Sequence, residues 1–409
     1  MKQFEVPTGY RSRLITAIKQ KRKADDKLKK DFSPTLLDLG PVQFYLARHF
    51  GFCYGVENAI DIAYKTIEEN KGKRIFLLSE MIHNPQVNAD LIQKGVRFLH
   101  DTLGNSMIPL SELNANDIVM IPAFGTTLEL EKIITDKGIQ IQKYNTTCPF
   151  VEKVWNRSEQ IAKKGFSIII HGKPKHEETR ATFSHAAANT PTLIVNDMAE
   201  TQLLSKFLMG KISVEEFYTL FAGRYSKDFD PMKDLVKIGV VNQTTQLATD
   251  TQAISDYLKN TMVEKYGAAA IENHFADTRD TLCYATNDNQ SAVIGLLNTK
   301  ADLAIVMGGK NSSNSSHLVE LCEQKLPTYF IDDASKILNE KEIIHTDWNN
   351  KNAISVQDYL PNKETVKILM TSGASCPDAV VETVIRKIAS YYGKEAQLDE
   401  LVAVWEKAN

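Results

Sequence analysis

Residues 303–324 read LAIVMGGKNSSNSSHLVELCEQ and contain the unit from which the fold is predicted. Leu303–Met307 is a short apolar strand, Gly308–Ser316 is a polar loop, and His317–Gln324 has the pattern of an amphipathic helix. Strands that alternate with helices in this way are typical of βαβ units on a mostly parallel sheet. The same order recurs at 118–135, 167–180 and 366–391. The sequence therefore predicts an α/β fold, with ligands at the carboxyl ends of the strands.

The overall composition limits the classes of protein to consider. The chain has 409 residues, of which 43% are hydrophobic, and a net charge of −3, so we expect a globular protein with more than one domain. This near-neutral balance gives no reason to expect a nucleic-acid partner. No apolar run approaches the roughly 18 residues of a membrane-spanning helix, so no membrane insertion is expected. The first 30 residues carry ten Lys/Arg and three acidic residues, and we interpret them as a solvated basic arm.

Three of the five cysteines precede segments with a helical pattern. Cys53, Cys148 and Cys283 are each followed by apolar residues on one helical face. A thiolate at a helix N-terminus is stabilised by unpaired N–H groups, which lowers the pKa of the thiol, and three converging thiolates would bind a soft metal centre. The residues alone leave three readings open: unrelated buried cysteines, a zinc site, or an iron–sulfur cluster with one open iron. Cys322 lies on an apolar helix face and is predicted to be a core residue, and the odd number of cysteines argues against disulfides.

Hydroxyl and amide side chains follow several of the predicted strands. Asn242–Thr245 comes directly after an apolar run, and Lys310–Ser316 and Gly373–Pro377 each follow an apolar run after two intervening residues. Such loops at helix starts can bind a phosphate through N–H groups and hydroxyls, although each one alone also fits an ordinary helix cap. Several of them at strand ends make a phosphate-containing ligand the better expectation.

The titratable groups in the predicted loops are His83 and the run His176-Glu177-Glu178. A carboxylate beside a histidine is a candidate for proton delivery, and the spacing leaves Glu177 and Glu178 equally possible. The chain contains neither GxGxxG nor GxxxxGK[ST], so no built-in nicotinamide, flavin or nucleotide site is predicted. If the chain is a reductase, its electrons would therefore arrive from a partner protein.

Eight motifs, taken together and in order, resemble the 4-hydroxy-3-methylbut-2-enyl diphosphate reductase family, also called LytB. The resemblance covers roughly residues 44–390, and the motifs are GFCYGVE (51–57), IHNP (82–85), NTTCP (145–149), HEET (176–179), NQTT (242–245), CYAT (283–286), KNSSNS (310–315) and SGAS (372–375).

The resemblance implies three pseudo-symmetric αβα domains with small, parallel-type sheets around a central cavity for cluster and substrate. The predicted segments are an N-terminal extension at 1–43, domains at 44–147, 148–282 and 283–391, an insertion at about 198–236 in the second domain, and a C-terminal tail at 392–409.

The resemblance also implies an enzyme with one [4Fe–4S] cluster per chain, held by Cys53, Cys148 and Cys283. It would convert 4-hydroxy-3-methylbut-2-enyl diphosphate to isopentenyl and dimethylallyl diphosphates by reductive dehydroxylation, the last step of the non-mevalonate isoprenoid pathway. Glu178 would be the proton source, and a ferredoxin- or flavodoxin-type protein would be the electron donor. The implied contacts with the allylic diphosphate substrate are His83, His176, Thr244, Ser312, Ser313, Asn314 and Ser375.

One loop departs from the pattern of many bacterial members of the family, because Phe124 stands where they carry a histidine. Phe124 cannot donate to a phosphate. The loop resembles the plant and cyanobacterial branch, but the short, Ser-poor N-terminus favours a prokaryotic cytoplasm over a plastid. Two alternatives to the reductase remain: a zinc-dependent hydrolase or transferase of a phosphorylated substrate, and a non-enzymatic scaffold with core cysteines.

Overall fold

The computed structural model describes residues 4–28, 30–276 and 281–408. The chain divides into two compact units. The first unit comprises residues 1–61, 82–89 and 284–409, and the second comprises residues 62–81 and 90–283. No helix in the described ranges is long and apolar enough to cross a membrane.

The strands are short, and most of them alternate with helices. In chain order they are β1 Thr35–Asp38, β2 Val42–Leu46, β3 Ile75–Leu77, β4 Val96–Phe98, β5 Ile118–Met120, β6 Ser167–His171, β7 Thr192–Val195, β8 Ile238–Asn242, β9 Phe275–Ala276, β10 Leu303–Met307, β11 Thr328–Ile331, β12 Glu342–Thr346, β13 Ala353–Gln357 and β14 Val366–Ser372.

The helices are α1 Arg13–Asp25, α2 Tyr54–Glu69, α3 Pro85–Gln93, α4 Leu128–Thr135, α5 Pro149–Ala162, α6 Glu177–Ala187, α7 Met198–Leu208, α8 Val214–Leu220, α9 Pro231–Asp234, α10 Ala248–Tyr266, α11 Ile271–His274, α12 Tyr284–Leu296, α13 Ser313–Glu323, α14 Asp378–Tyr391 and α15 Glu395–Ala408. Short 3-10 turns lie between them.

The first unit is built on a five-stranded sheet with the order β1-β2-β14-β10-β11. All neighbours in it are parallel except β1 and β2, which are antiparallel. Every residue of β10 is buried, as a parallel strand covered on both faces requires, and this explains its uninterrupted apolar sequence. The polar loops at 308–312 and 373–377 follow β10 and β14, so the strand order brings two predicted phosphate-binding loops to one edge of the sheet.

The N-terminal extension packs onto the first unit, so the interpretation as a solvated arm is wrong for the apolar face of α1. Leu14, Ile15 and Ile18 are at most 2% exposed and belong to the core of the unit, and α1 contacts α14 and α15. The C-terminal segment behaves in the same way, because α15 buries Leu398 and Val402 in that core. Leu14 and Ile18 are four residues apart and so mark the apolar face of an amphipathic helix, but this pattern is difficult to recognise among the many cations of the segment.

The second unit contains two parallel sheets, with the orders β4-β3-β5 and β7-β6-β8-β9. The predicted insertion at about 198–236 forms α7, α8 and α9. Phe217 of α8 is fully buried among the rings of Phe207, Phe221 and Phe229, and this aromatic group is part of the core that includes Leu193 and Val240 of the second sheet.

The α/β class with small, mostly parallel sheets is confirmed. The division into three domains stays a prediction. The strand at Val42–Leu46 pairs with Val366–Ser372, and therefore belongs to the sheet of the third predicted segment, although it lies at the start of the first.

Candidate active site

The three cysteines predicted as metal ligands each lie immediately before a helix. Cys53 precedes α2, Cys148 is the N-cap of α5, and Cys283 precedes α12. All three cysteines are reduced and half-buried. Each backbone N–H donates to a carbonyl of a strand-end loop: Cys53 to Ala374 at 3.2 Å, Cys148 to Ala123 at 2.9 Å, and Cys283 to Thr244 at 3.3 Å. The helix-start position of all three cysteines is therefore confirmed.

The other two cysteines lie in a different environment. Cys322 and Cys376 are fully buried in the hydrophobic core of the first unit. Burial raises the pKa of the Cys322 thiol to about 12, and it also raises the pKa of Cys376. The prediction that Cys322 is a core residue is confirmed.

The expected lowering of the cysteine pKa is wrong for Cys53. Burial raises the pKa of this thiol, and it outweighs the N–H groups of Val56 and Gly55, which act in the opposite direction. A low-dielectric setting disfavours a bare thiolate, whereas coordination to a metal cation deprotonates a thiol outright.

The chemistry of the donor set fits an iron–sulfur cluster. No preformed group of three or more His, Cys, Asp or Glu that could hold a metal ion occurs within the residues that the structure describes. The three half-buried cysteines at helix starts are nevertheless reduced sulfur donors, and thiolates are the ligands that iron–sulfur clusters take.

In the second unit, the structure brings His176, Glu178 and Thr244 together. His176 is the N-cap of α6, and its Nδ1 accepts from the N–H of Glu178 at 3.2 Å. Because Nδ1 is an acceptor here, the neutral ring carries its proton on Nε2. The N–H of Thr244 donates to the Glu178 carboxylate at 2.5 Å, and the carbonyl of Thr244 accepts from Cys283. Thr244 thus contacts both Glu178, the candidate proton source, and Cys283, a candidate metal ligand.

The two neighbouring carboxylates of α6 have different partners. Glu177 accepts a hydrogen bond from the Ser79 hydroxyl. It also lines a cavity of about 180 Å³, together with Thr126, Thr127 and Arg180. Glu177 and Glu178 are both buried, but only Glu178 contacts Thr244.

Sequence reasoning missed the residue that holds this loop in place, Gln243. Its side chain is fully buried, and its Oε1 accepts from the N–H of Lys173, the hydroxyl of Thr179 and the amide of Gln246 at 3.1–3.2 Å. Its own amide donates to Thr245 at 2.8 Å. The position of Gln243 directly after an apolar strand was the only indication in the sequence. Two of its partners, Lys173 and Thr179, are more than 60 residues away along the chain.

In the first unit, a second group of buried polar residues surrounds the start of α13. Ser312 is the N-cap, and its hydroxyl accepts from the N–H of Ser315 at 3.2 Å. The Asn314 side-chain oxygen accepts from the N–H of Ala374 at 3.0 Å. The Ser375 hydroxyl donates to the carbonyl of His83 at 3.2 Å. Ser312, Asn314 and Ser375 thus come together with the His83 backbone, at a helix N-terminus suited to an anion. Ser313, the first residue of the helix, is buried in the same place.

At Gly309 the backbone passes close to the backbone of His83. A methyl group at this position would lie 2.3 Å from the carbonyl oxygen of His83, so only glycine lets the two backbones meet. This contact, together with the Ser375 hydrogen bond, positions the backbone of His83.

The Phe124 loop is packed against aromatic rings. The Phe124 ring lies edge-on to His176, with centroids 5.8 Å apart and an interplanar angle of 84°. At Gly125, where φ is +77°, a methyl group would lie 2.5 Å from the Trp155 ring. Trp155 stacks on His185 at 3.7 Å, and burial lowers the pKa of His185. Phe124 therefore contributes an aromatic contact to the site in place of a polar one.

Comparison with known proteins identifies the family. The model described as LytB protein matches residues 44–389. A 4-hydroxy-3-methylbut-2-enyl diphosphate reductase of Picosynechococcus sp. is 39% identical over 363 residues, which cover 88% of each chain. A reductase of the same name from Prochlorococcus marinus is 36% identical and covers 97% of this chain and 95% of its own.

A solved structure shares the fold. The E-1-hydroxy-2-methyl-but-2-enyl-4-diphosphate reductase from Plasmodium falciparum superposes with a TM-score of 0.61 at 24% identity, over 85% of this chain and 87% of its own. The match of the family model across most of the chain, supported by these relatives, shows that the chain belongs to the LytB protein family of 4-hydroxy-3-methylbut-2-enyl diphosphate reductases.

Proposed function

We propose that this chain is an oxidoreductase that converts 4-hydroxy-3-methylbut-2-enyl diphosphate to isopentenyl and dimethylallyl diphosphates, the last step of the non-mevalonate pathway. Two electrons and two protons enter, the C–O bond of the 4-hydroxyl breaks, and water leaves. The observation that carries the proposal is the Thr244 N–H contact with Glu178, since it joins a proton donor to a candidate cluster ligand in a family of reductases. Because the chain belongs to a family of reductases, we reject the two alternatives, a zinc-dependent hydrolase or transferase and a non-enzymatic scaffold.

Cys53, Cys148 and Cys283 would hold one [4Fe–4S] cluster per chain. Their shared helix-start position supports this assignment, and so does their contrast with the two fully buried cysteines. When bound, the cluster supplies the electrons and an iron that polarises the C–O bond as a Lewis acid.

The polar residues at the start of α13 would bind the diphosphate. Ser312, Ser313 and Asn314 lie at the positive end of the helix, and Ser375 lies beside them through the Asn314–Ala374 contact. Hydroxyls, an amide and backbone N–H groups can stabilise the charge of a diphosphate by hydrogen bonds at a buried helix start, without a basic patch. His83 would lie at the edge of this site, because its carbonyl is held by Ser375.

Glu178 would donate the proton to the departing hydroxyl. The Thr244 N–H holds its carboxyl group in one orientation, which is the geometric requirement for a general acid. His176 would donate a hydrogen bond from Nε2 to the substrate, because its Nδ1 is engaged with the Glu178 backbone. Thr244 would orient the substrate near its hydroxyl.

The electron donor would be a ferredoxin- or flavodoxin-type protein, since the sequence contains no nicotinamide, flavin or nucleotide motif. The cyanobacterial relatives support a location in the prokaryotic cytoplasm.

An anaerobic turnover assay tests this function. Protein loaded with iron and sulfide should oxidise reduced methyl viologen only when 4-hydroxy-3-methylbut-2-enyl diphosphate is added, and both allylic and homoallylic diphosphates should form. Glu178→Gln should lower kcat by about 100-fold or more while substrate still binds. Glu177→Gln is the matched control, and it should keep most of the activity. Absence of substrate-dependent oxidation would reject the function, and equal loss in both variants would reject the role of Glu178.

A further inference from the structure

The charge of this chain is divided unequally between its N-terminal segment and the rest. Residues 1–30 carry ten Lys/Arg and three acidic residues, a net charge of +7. The whole chain has a net charge of −3, so residues 31–409 carry −10. A basic segment on an otherwise acidic protein creates a local positive potential that attracts an acidic partner.

The helix that carries this charge leaves Arg13, Lys21 and Lys23 exposed, and of these Arg13 is paired with Glu406. Leu14, Ile15 and Ile18 bury one face of α1, so its polar residues lie on the opposite face. Lys23 and Lys27 are exposed, whereas the single acidic residue of the helix is Asp25 at its last position. We call the exposed cations at 11–30 the basic face.

The helix that carries the basic face contacts the loop that contains Cys53 through Lys19, which is half-buried. Lys19 forms an ion pair with Asp378 at 2.7 Å and lies 4.8 Å from the centre of the Phe50 ring. A methyl group on Gly51 would lie 2.9 Å from the Lys19 nitrogen. Lys19 is therefore in contact with the segment two residues before Cys53, and Lys23 lies one helical turn, about 6 Å, farther along α1.

Two aromatic contacts attach the rest of the extension to the same loop. The ring of Tyr10 packs edge-on against Phe52 with centroids 5.9 Å apart, and Phe4 packs in the same way against Tyr54 at 4.9 Å. These pairs flank Cys53 on both sides in the chain. The extension thus contacts the residues on both sides of a candidate cluster ligand.

We propose that the basic face is the docking surface for a small acidic electron-transfer protein. The inference rests on the proposed function, because it concerns the route by which electrons reach the Cys53 side of the cluster. Electron-transfer complexes are small and transient, and charge complementarity gives them their orientation and their association rate. The acidic remainder of the chain would repel such a partner elsewhere, which directs it to the basic face.

The N-terminal segment lies outside residues 44–389, which the family model matches, so docking is separable from the reaction itself. The Prochlorococcus marinus relative aligns over 97% of this chain, and its alignment therefore includes most of the segment.

Charge reversal tests the proposal in the full-length, cluster-loaded enzyme. Lys23→Glu/Lys27→Glu should raise the KM for a reduced plant-type ferredoxin by about tenfold at low salt, and the difference should shrink as salt is added. The kcat with reduced methyl viologen should not change, because a small donor needs no docking surface. Lys163→Glu/Lys164→Glu, on an exposed part of the second unit, is the matched control, and its KM for ferredoxin should stay within about twofold of the parent.

Isothermal titration calorimetry with the same ferredoxin measures docking without turnover, so the proposal can be judged even if the proposed reaction is not observed. Binding of ferredoxin that is tenfold weaker in the Lys23→Glu/Lys27→Glu variant supports the proposal. Equal KM and Kd for the two charge-reversal variants would overturn it, and so would a loss of activity with methyl viologen as large as that with ferredoxin. Charge-dependent binding to phosphatidylserine vesicles with no binding to ferredoxin would also overturn it.

Discussion

Substitution of Gly309 by alanine should disturb the diphosphate site through one backbone contact. The alanine Cβ would lie 2.3 Å from the His83 carbonyl oxygen and 2.9 Å from its carbonyl carbon. An ordinary contact needs about 1 Å more, and the obstructing atoms are backbone, so no side-chain rotation can relieve the overlap. Overpacking of this kind costs about 1–3 kcal/mol of unfolding free energy, and the loss of glycine flexibility in the unfolded chain returns less than about 1 kcal/mol.

Gly309→Ala should therefore lower the unfolding free energy by about 1–2 kcal/mol in a urea titration. It should also raise KM for the diphosphate substrate by roughly tenfold, because His83 is moved away from the Ser375 hydroxyl, and one such hydrogen bond is worth about 1–1.5 kcal/mol. Gly9→Ala is the matched control, since nothing lies within 4 Å of a methyl group there. A Gly309→Ala enzyme with the stability and KM of the control would refute this reasoning.

Three further predictions concern the second unit. Phe124→Ala should raise KM about 2- to 10-fold with little change in kcat, because the loss of the aromatic contact at 5.8 Å leaves the His176 ring less restrained; an unchanged KM would remove this role. Burial lowers the pKa of His185 below that of the unfolded chain, so unfolding takes up a proton below about pH 6.5 and the unfolding free energy falls as pH drops from 7 to 5. His185→Gln should flatten this slope in urea titrations, and a slope identical to the parent's would contradict the assignment. Gln243→Ala should cost about 2–5 kcal/mol of stability, because the buried donors of Thr179 and Gln246 and the half-buried N–H of Lys173 lose their acceptor; a cost below about 1 kcal/mol would show that the loop does not depend on Gln243.

Much of the fold could be predicted because the strands are short, apolar and bounded by polar loops. The predicted bounds of β10 coincide with the observed ones, and α4 and α14 end where the predicted segments 118–135 and 366–391 end. The start of α13 was placed four residues too late, since the Ser312 hydroxyl caps the helix inside a run of polar residues that read as a loop. The partner of β2 could not be predicted, because β14 lies more than 300 residues away in the sequence and its pairing depends on tertiary packing.

The residue types of the candidate site could be predicted, but their pairing could not. Glu177 and Glu178 are neighbours with the same chemistry, and only the tertiary contacts with Ser79 and Thr244 distinguish them. The Gln243 contacts were missed for the same reason. The buried face of α1 was not predicted because the segment is rich in cations, although Leu14 and Ile18 have helical spacing.

Iron analysis of anaerobically purified protein tests the central claim most directly, the claim that Cys53, Cys148 and Cys283 hold an iron–sulfur cluster. The parent and Cys322→Ser should both be brown and contain about four irons per chain, whereas serine at any one of the three helix-start cysteines should lower the iron content and bleach the absorbance near ~400 nm. A colourless parent with one zinc, or an iron content that falls as much in Cys322→Ser as in Cys148→Ser, would contradict the claim.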